Sequence, residues 1–265
     1  MQAIVLAAGQ GIRLRPLTDH HPKCLVEVRG KPLLQYQLEA ISDAGIRECT
    51  IVIGYRGAQV REAFGSRFRE LSITYVENKL FDRTNNIYSL WLAGPEINDD
   101  LLLLEGDLVF EPALLVDLLV VPYKNAAVVD NFQSSMDGTV VLAHGDRVSA
   151  MVLKLDQSPS FDYERALKTV NIYKFSAQAM SDVLMPALGG YVSRGLTHHY
   201  YEMAISRAIE EGTLILHISR TGLRTWAEVD TEDDLRKAES MPMPRVSAST
   251  SAPRAPRPAF YGSSL

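Results

Sequence analysis

Leu6-Ala7-Ala8-Gly9-Gln10-Gly11-Ile12-Arg13-Leu14-Arg15-Pro16 is the stretch on which the reading of this chain turns. A short apolar strand, Gln2 to Leu6, runs into two glycines, as in a dinucleotide-binding turn. Leu14 stands where the third glycine belongs, and Pro16 blocks a regular helix through that point. The next strand, Glu48 to Ile53, ends in Gly54-Tyr55-Arg56 and offers no carboxylate to a ribose. A Walker A loop is also excluded, because GxxxxGK[ST] does not occur. What remains is a glycine-rich loop whose amides can wrap phosphate oxygens, with Arg13 as a forked cation and Lys23 as a second cation on the same rim. On these residues alone the plainer alternative stays open, in which the glycines shape a turn and the charges are solvated.

Outward from the loop, strand-like and helix-like segments alternate, the pattern of an α/β layered sheet. Strands are expected at Gln2 to Leu6, Glu48 to Ile53, Ser72 to Glu77, Asp100 to Glu105, Ala126 to Asp130, Thr139 to Ala143, Val148 to Leu153 and Val170 to Phe175. Leu33 to Ala44 has apolar residues at 33, 34, 38 and 41 and closes on Gly45, so it reads as a helix. Thr84 to Leu92 is a second helix, ended by Gly94-Pro95, and 176 to 188 and 198 to 211 supply two more. Residues 131–170 look like a β-rich meander inserted beyond the main sheet as one lip of a cleft, with turns at Met136-Asp137-Gly138 and His144-Gly145-Asp146. The organisation expected is a 1–238 domain followed by a disordered Pro/Ser/Ala-rich tail over 239–265.

Composition narrows the partners. The 27 basic and 32 acidic residues leave a net charge of -5, which argues against a broad footprint for nucleic acid or an anionic membrane. Anionic ligands must therefore be met locally. Cys24 and Cys49 form no CxxC pair, so neither a disulfide framework nor a structural zinc site is expected, and a reducing cytoplasm fits. Apolar runs such as Ala113 to Pro122 are too short to span a bilayer, and no export leader is read at the N-terminus.

The run LAAGQGIRLRPLTDHHPKCLVEVRGKPLL resembles the signature of the sugar-nucleotidyltransferase superfamily, LAAGxGxRxxPxTxxxPKxLxxVxxKPLL. The resemblance implies a Rossmann-like (GT-A-like) nucleotidyltransferase fold, a mixed but mainly parallel sheet flanked by helices. It implies a nucleoside triphosphate held by Leu6, Ala7, Ala8, Gly9 and Gly11, with Arg13 on its β and γ phosphates. Lys23 would reach the α phosphate and the incoming anion. Glu77-Asn78-Lys79 with Thr84-Asn85-Asn86-Ile87-Tyr88-Ser89-Leu90 is similar to the cytidylyltransferases acting on choline phosphate and small phosphonates. Lys168-Thr169-Val170-Asn171-Ile172-Tyr173-Lys174-Phe175 resembles the phosphonate branch more.

Asp107 follows an apolar strand, where open α/β sheets place ligands, in Glu105-Gly106-Asp107, a segment expected to border the nucleotide. Asp230 lies far away in Trp226-Ala227-Glu228-Val229-Asp230. The resemblance pairs the two as Mg²⁺ ligands, and carboxylates converging on a hard cation would leave positions for water and phosphate. Taken singly, each is also compatible with a turn or helix-cap role. Asn85, Asn86 and Ser89 suit the edge of cytosine, or else cap a helix with a solvated face. For the acceptor, the anionic end wants cations beyond Lys23, such as Lys154 and Lys168. Its other end would want an aromatic cage for a quaternary ammonium, drawn from Tyr88, Phe132, Tyr173, Tyr201 and Trp226. A primary amine would instead want a carboxylate such as Asp130 or Glu228. The expectation is Mg²⁺-dependent transfer of CMP from CTP to a small phosphonate, such as 2-hydroxyethyl- or 2-aminoethylphosphonate, or to a phosphocholine-like phosphomonoester. A sugar 1-phosphate nucleotidyltransferase and a catalytically silent nucleotide-binding domain are the alternatives.

Overall fold

β1 (Gln2–Ala7) is buried along its whole length. Ala3, Val5 and Ala7 face one apolar cluster, while Ile4 and Leu6 face another. A strand covered on both faces belongs at the centre of a layered α/β sheet. The computed structural model describes residues 1–242 of the chain. After β1 come β2 (Glu27–Val28), β3 (Lys31–Pro32), α1 (Leu33–Asp43), β4 (Glu48–Ile53), α2 (Gly57–Phe64), β5 (Arg67–Phe68), β6 (Leu71–Glu77), α3 (Asn86–Leu92), β7 (Leu101–Glu105), β8 (Leu108–Phe110), α4 (Ala113–Val120) and β9 (Ala126–Asn131). The chain continues through β10 (Val140–His144), β11 (Arg147–Val152), β12 (Leu167–Phe175), α5 (Ala177–Ala179), α6 (Met185–Ser193), α7 (Glu202–Glu210), β13 (His217–Arg220), β14 (Trp226–Glu228) and α8 (Glu232–Ser240).

Ten strands form one sheet in the order β10-β11-β13-β9-β12-β7-β1-β4-β6-β5. β7, β1, β4 and β6 run parallel, and their carboxyl ends face the glycine loop and the turn holding Asp107. Over the described residues, however, four pairings are parallel and six antiparallel. The expected mainly parallel sheet is therefore found only in the half that carries the loop. Parallel neighbours need a long crossover, and β10, β11 and β12 follow one another without a crossover helix, so they pair antiparallel. β10 and β11 extend the main sheet instead of standing beyond it, because β10 pairs with β12 and β11 with β13. The helix expected over 198–211 begins only at Glu202, after a turn. α8 runs to Ser240, and the tail from 243 onward lies outside the described residues. No helix among the described residues is long and apolar enough to cross a membrane.

Candidate active site

At the carboxyl ends of β1 and β7 a cleft of about 1160 Å³ opens, lined by the glycine loop, Lys23, Asp107, Asp230 and the start of α3. Its far wall includes Lys154, Lys168, Glu202, Trp226 and Glu228. Leu6, Ala7, Ala8, Gly9, Gly11, Arg13, Asn85, Asn86, Ser89, Glu105 and Gly106 all border it. Gly11 has φ +65°, and a Cβ there would lie 2.9 Å from Lys23 Cβ, so this position requires glycine twice over. The backbone N–H groups of Gly9 to Arg13 have no backbone acceptor among the described residues, which leaves them available to an anion.

Two distant segments meet because β14 pairs antiparallel with β8, setting Glu228 opposite Leu108. Val229 N–H then donates to the Asp107 carbonyl at 3.0 Å, which brings Asp230 beside Asp107. Lys23 Nζ lies 2.6 Å from Asp107 Oδ2 and 2.5 Å from Asp230 Oδ1, and Arg13 pairs with Asp230 Oδ2 at 2.8 Å. Burial pulls the Lys23 ammonium down, but the two carboxylates more than offset it and raise its pKa above the ordinary lysine value. Asp107 Oδ1 is buried without a hydrogen-bond partner. Two carboxylates that converge on one point, with a further oxygen of Asp107 left unpartnered, fit a hard divalent cation. No group of three or more His, Cys, Asp or Glu among the described residues could hold a metal, so these two carboxylates would leave its other positions to water and phosphate.

Asn85, Asn86 and Ser89 border the cleft as expected, and Asn85 also takes the helix-cap role that was the alternative reading. Asn85 is the N-cap of α3, its Oδ1 accepting from Asn86 N–H at 2.8 Å. Asn86 donates through Nδ2 to Glu105 Oε1 at 2.8 Å and accepts at Oδ1 from Tyr201 N–H at 3.0 Å. Its amide is thus engaged at both ends as a tie between α3, β7 and the start of α7. Ser89 Oγ accepts from Asn78 Nδ2 at 3.1 Å, leaving its own proton free to donate.

The acceptor end also sorts the candidates. Tyr173 is fully buried, stacks on Phe175, meets Tyr201 edge-on and does not line the cleft; Tyr88 and Phe132 likewise point elsewhere. Nine-residue β12 carries Tyr173 in its apolar, core-facing register, which a single-sequence reading cannot separate from a cleft position. Of the aromatic candidates only Trp226 lines the cleft, with Nε1 donating to Asp130 Oδ2 at 2.7 Å. No aromatic cage is built there from those candidates. Lys154 is exposed and paired with Asp137. Lys168 is buried, donates to the Thr169 carbonyl at 2.7 Å and lies 3.6 Å from Glu228.

Glu202 is a cleft side chain that the sequence reading missed. It opens α7 buried, lines the cleft, and its Oε2 has no partner. Burial pushes its carboxyl up to about 7, and burial also raises Glu228 to about 7, opposed by Lys168. Glu105, closed in by burial and the neighbouring Asp107, is raised well above the usual range. An acidic residue in a first helical turn ordinarily complements the helix dipole at the surface, so nothing in Tyr201-Glu202-Met203 marks it.

A glycine loop at the carboxyl ends of parallel strands, with a cation pair and two converging carboxylates, defines a nucleotidyltransferase of Rossmann-like fold. Residues 3–170 match the model of the MobA-like NTP transferase domain, and the chain belongs to that family. It is 35% identical, over 90% of its length, to a CMP-5'-(3-aminopropyl)phosphonate synthase of Streptomyces rubellomurinus, of which it spans 38%. A choline-phosphate cytidylyltransferase of Streptococcus pneumoniae is 27% identical over 91% of this chain and 98% of that protein. The solved CTP:phosphocholine cytidylyltransferase from S. pneumoniae shares the fold, with a TM-score of 0.71 at 23% identity over 90% of this chain and 97% of that one.

Proposed function

We propose that this chain is a Mg²⁺-dependent, cytoplasmic cytidylyltransferase that joins CMP from CTP to a small phosphonate bearing a primary amine and releases pyrophosphate. The observation that carries the acceptor assignment is the buried, unpartnered carboxylate oxygen of Glu202 in a cleft that Glu228 also lines; of the aromatic side chains on that cleft, Phe81, Tyr200 and Trp226, only Trp226 belongs to the expected cage. A compact ammonium suits carboxylates, whereas a quaternary ammonium, which has no N–H to donate, wants aromatic faces. The names of the Streptomyces and Streptococcus relatives support CTP as the donor and a small phosphorus acid as the acceptor.

In this reading the loop amides and Arg13 hold the departing β and γ phosphates, and Lys23 bridges the α phosphate and the acceptor oxygen. That oxygen is already anionic at neutral pH, so no general base is required. It forms a bond to the α phosphorus as the α–β bridging bond breaks and its electrons leave with pyrophosphate. Mg²⁺ held by Asp107 and Asp230 would neutralise charge on the phosphate oxygens. Lys168 would add a cation to the anionic end of the acceptor, and Glu202 and Glu228 would receive its ammonium.

Pyrophosphate release with CTP, UTP, GTP and ATP, each crossed with 3-aminopropylphosphonate, 2-aminoethylphosphonate, 2-hydroxyethylphosphonate, phosphocholine and glucose 1-phosphate, tests the proposal. The highest kcat/KM is expected for CTP with an aminoalkylphosphonate. Preference for glucose 1-phosphate would overturn the acceptor assignment, and tight nucleotide binding without any turnover would overturn the enzyme reading.

A further inference from the structure

We infer that the Lys23 ammonium is the resident cation of the Asp107–Asp230 pair in the free protein, and that it excludes a divalent cation until a nucleotide draws it away. The inference goes beyond the proposed transfer and rests on the assignment of that pair as the cation ligands. Lys23 Nζ sits within 2.6 Å of one carboxylate and 2.5 Å of the other, and Arg13 takes the second oxygen of Asp230. Three of the four oxygens are therefore already bound to cationic N–H groups, and the fourth, Asp107 Oδ1, is buried and unpartnered. Magnesium requires oxygens at about 2.0–2.1 Å in near-octahedral geometry, so it cannot share that point with an ammonium.

The exchange needs only a side-chain movement. Lys23 stands in the short 3-10 turn Lys23–Leu25 after Pro22, with its stem against Gly11. A triphosphate in the glycine loop offers both Lys23 and Arg13 new anionic partners, which frees the carboxylates. Nucleotide and metal then favour each other's binding by the same factor. The Lys23 ammonium also spares the chain two adjacent uncompensated carboxylates, an arrangement that would otherwise be costly where they are partly buried.

The test is binding of Mn²⁺ to the nucleotide-free protein, followed by the electron paramagnetic resonance signal of unbound Mn²⁺. Lys23→Met and Lys23→Gln are each expected to bind Mn²⁺ at least about tenfold more tightly than the wild type, with a larger Mn²⁺-induced rise in Tm. Adding Asp107→Asn to either should abolish the gain. Wild type binding Mn²⁺ as tightly as the variants, with that binding lost in Asp107→Asn, would overturn the exclusion while leaving the cation assignment standing. Absence of binding in both lysine variants, or a gain that survives Asp107→Asn, would overturn both.

Discussion

In the first turn of α7, Glu202 presents a carboxylate oxygen that nothing in the described chain satisfies. Glu202→Gln is therefore expected to raise the KM for an aminoalkylphosphonate about tenfold or more while leaving the KM for CTP near the wild-type value, by steady-state kinetics. Burial raises the Glu202 carboxyl from 4.5 to about 7, and Glu228 similarly. Only the ionised forms attract an ammonium, so the acceptor KM should fall as pH rises through about 7, and the CTP KM should not follow. Between about 4.5 and 7 the folded chain binds more protons at these groups than the unfolded chain does. Their contribution to stability is thus present below that window and lost as pH rises through it, a Tm trend that Glu202→Gln should flatten. The contrast with Asn86 shows what a sequence conveys at this scale. The motif Asn85-Asn86-Ile87-Tyr88-Ser89 was legible, and its Asn85, Asn86 and Ser89 do border the cleft, but the partners of an amide were not legible. Those partners, Glu105 and the Tyr201 N–H, arrive from segments whose position depends on the whole sheet.

α1 reaches the site through Gln37. Its Nε2 donates to the Glu105 carbonyl at 3.0 Å and to the Leu108 carbonyl at 2.9 Å, clamping both sides of the turn that carries Asp107. Gln37→Leu would take this donor from one buried and one part-buried carbonyl. It is expected to cost about 1–3 kcal/mol in urea unfolding and to lower kcat/KM beyond what the lost folded population explains. The helix itself was legible from apolar residues at 33, 34, 38 and 41 and from the reversal at Gly45, where φ is +85°. Gln37 was not, because a polar residue between apolar positions reads as a flank until the β7–β8 turn is placed against it. The three-residue strands β8 and β14 were equally hidden: each is too short to show an alternation, yet their pairing delivers Asp230 to Asp107.

Across the whole molecule, one half of the sheet follows the parallel α/β pattern and supports the glycine loop. The other half, with β12 between β7 and β9, is antiparallel except where β13 joins β9, and it carries Lys168 on the far wall of the cleft. The parallel half was readable because its strands are apolar runs, or in β6 an alternating one, closed by a turn or a helix. The strand order of the other half was not, since local sequence carries no statement of which edge a returning strand joins. The account as a whole predicts a single new covalent link, between the α phosphorus of the nucleotide and the oxygen of a phosphonate. Phosphorus-31 NMR of the protein with CTP, Mg²⁺ and 3-aminopropylphosphonate is the most direct test. The expected result is a pair of mutually coupled doublets, one in the phosphonate region and one in the phosphate region, growing in step with pyrophosphate. No coupled pair with this acceptor, while glucose 1-phosphate yields a nucleotide sugar under the same conditions, would contradict it.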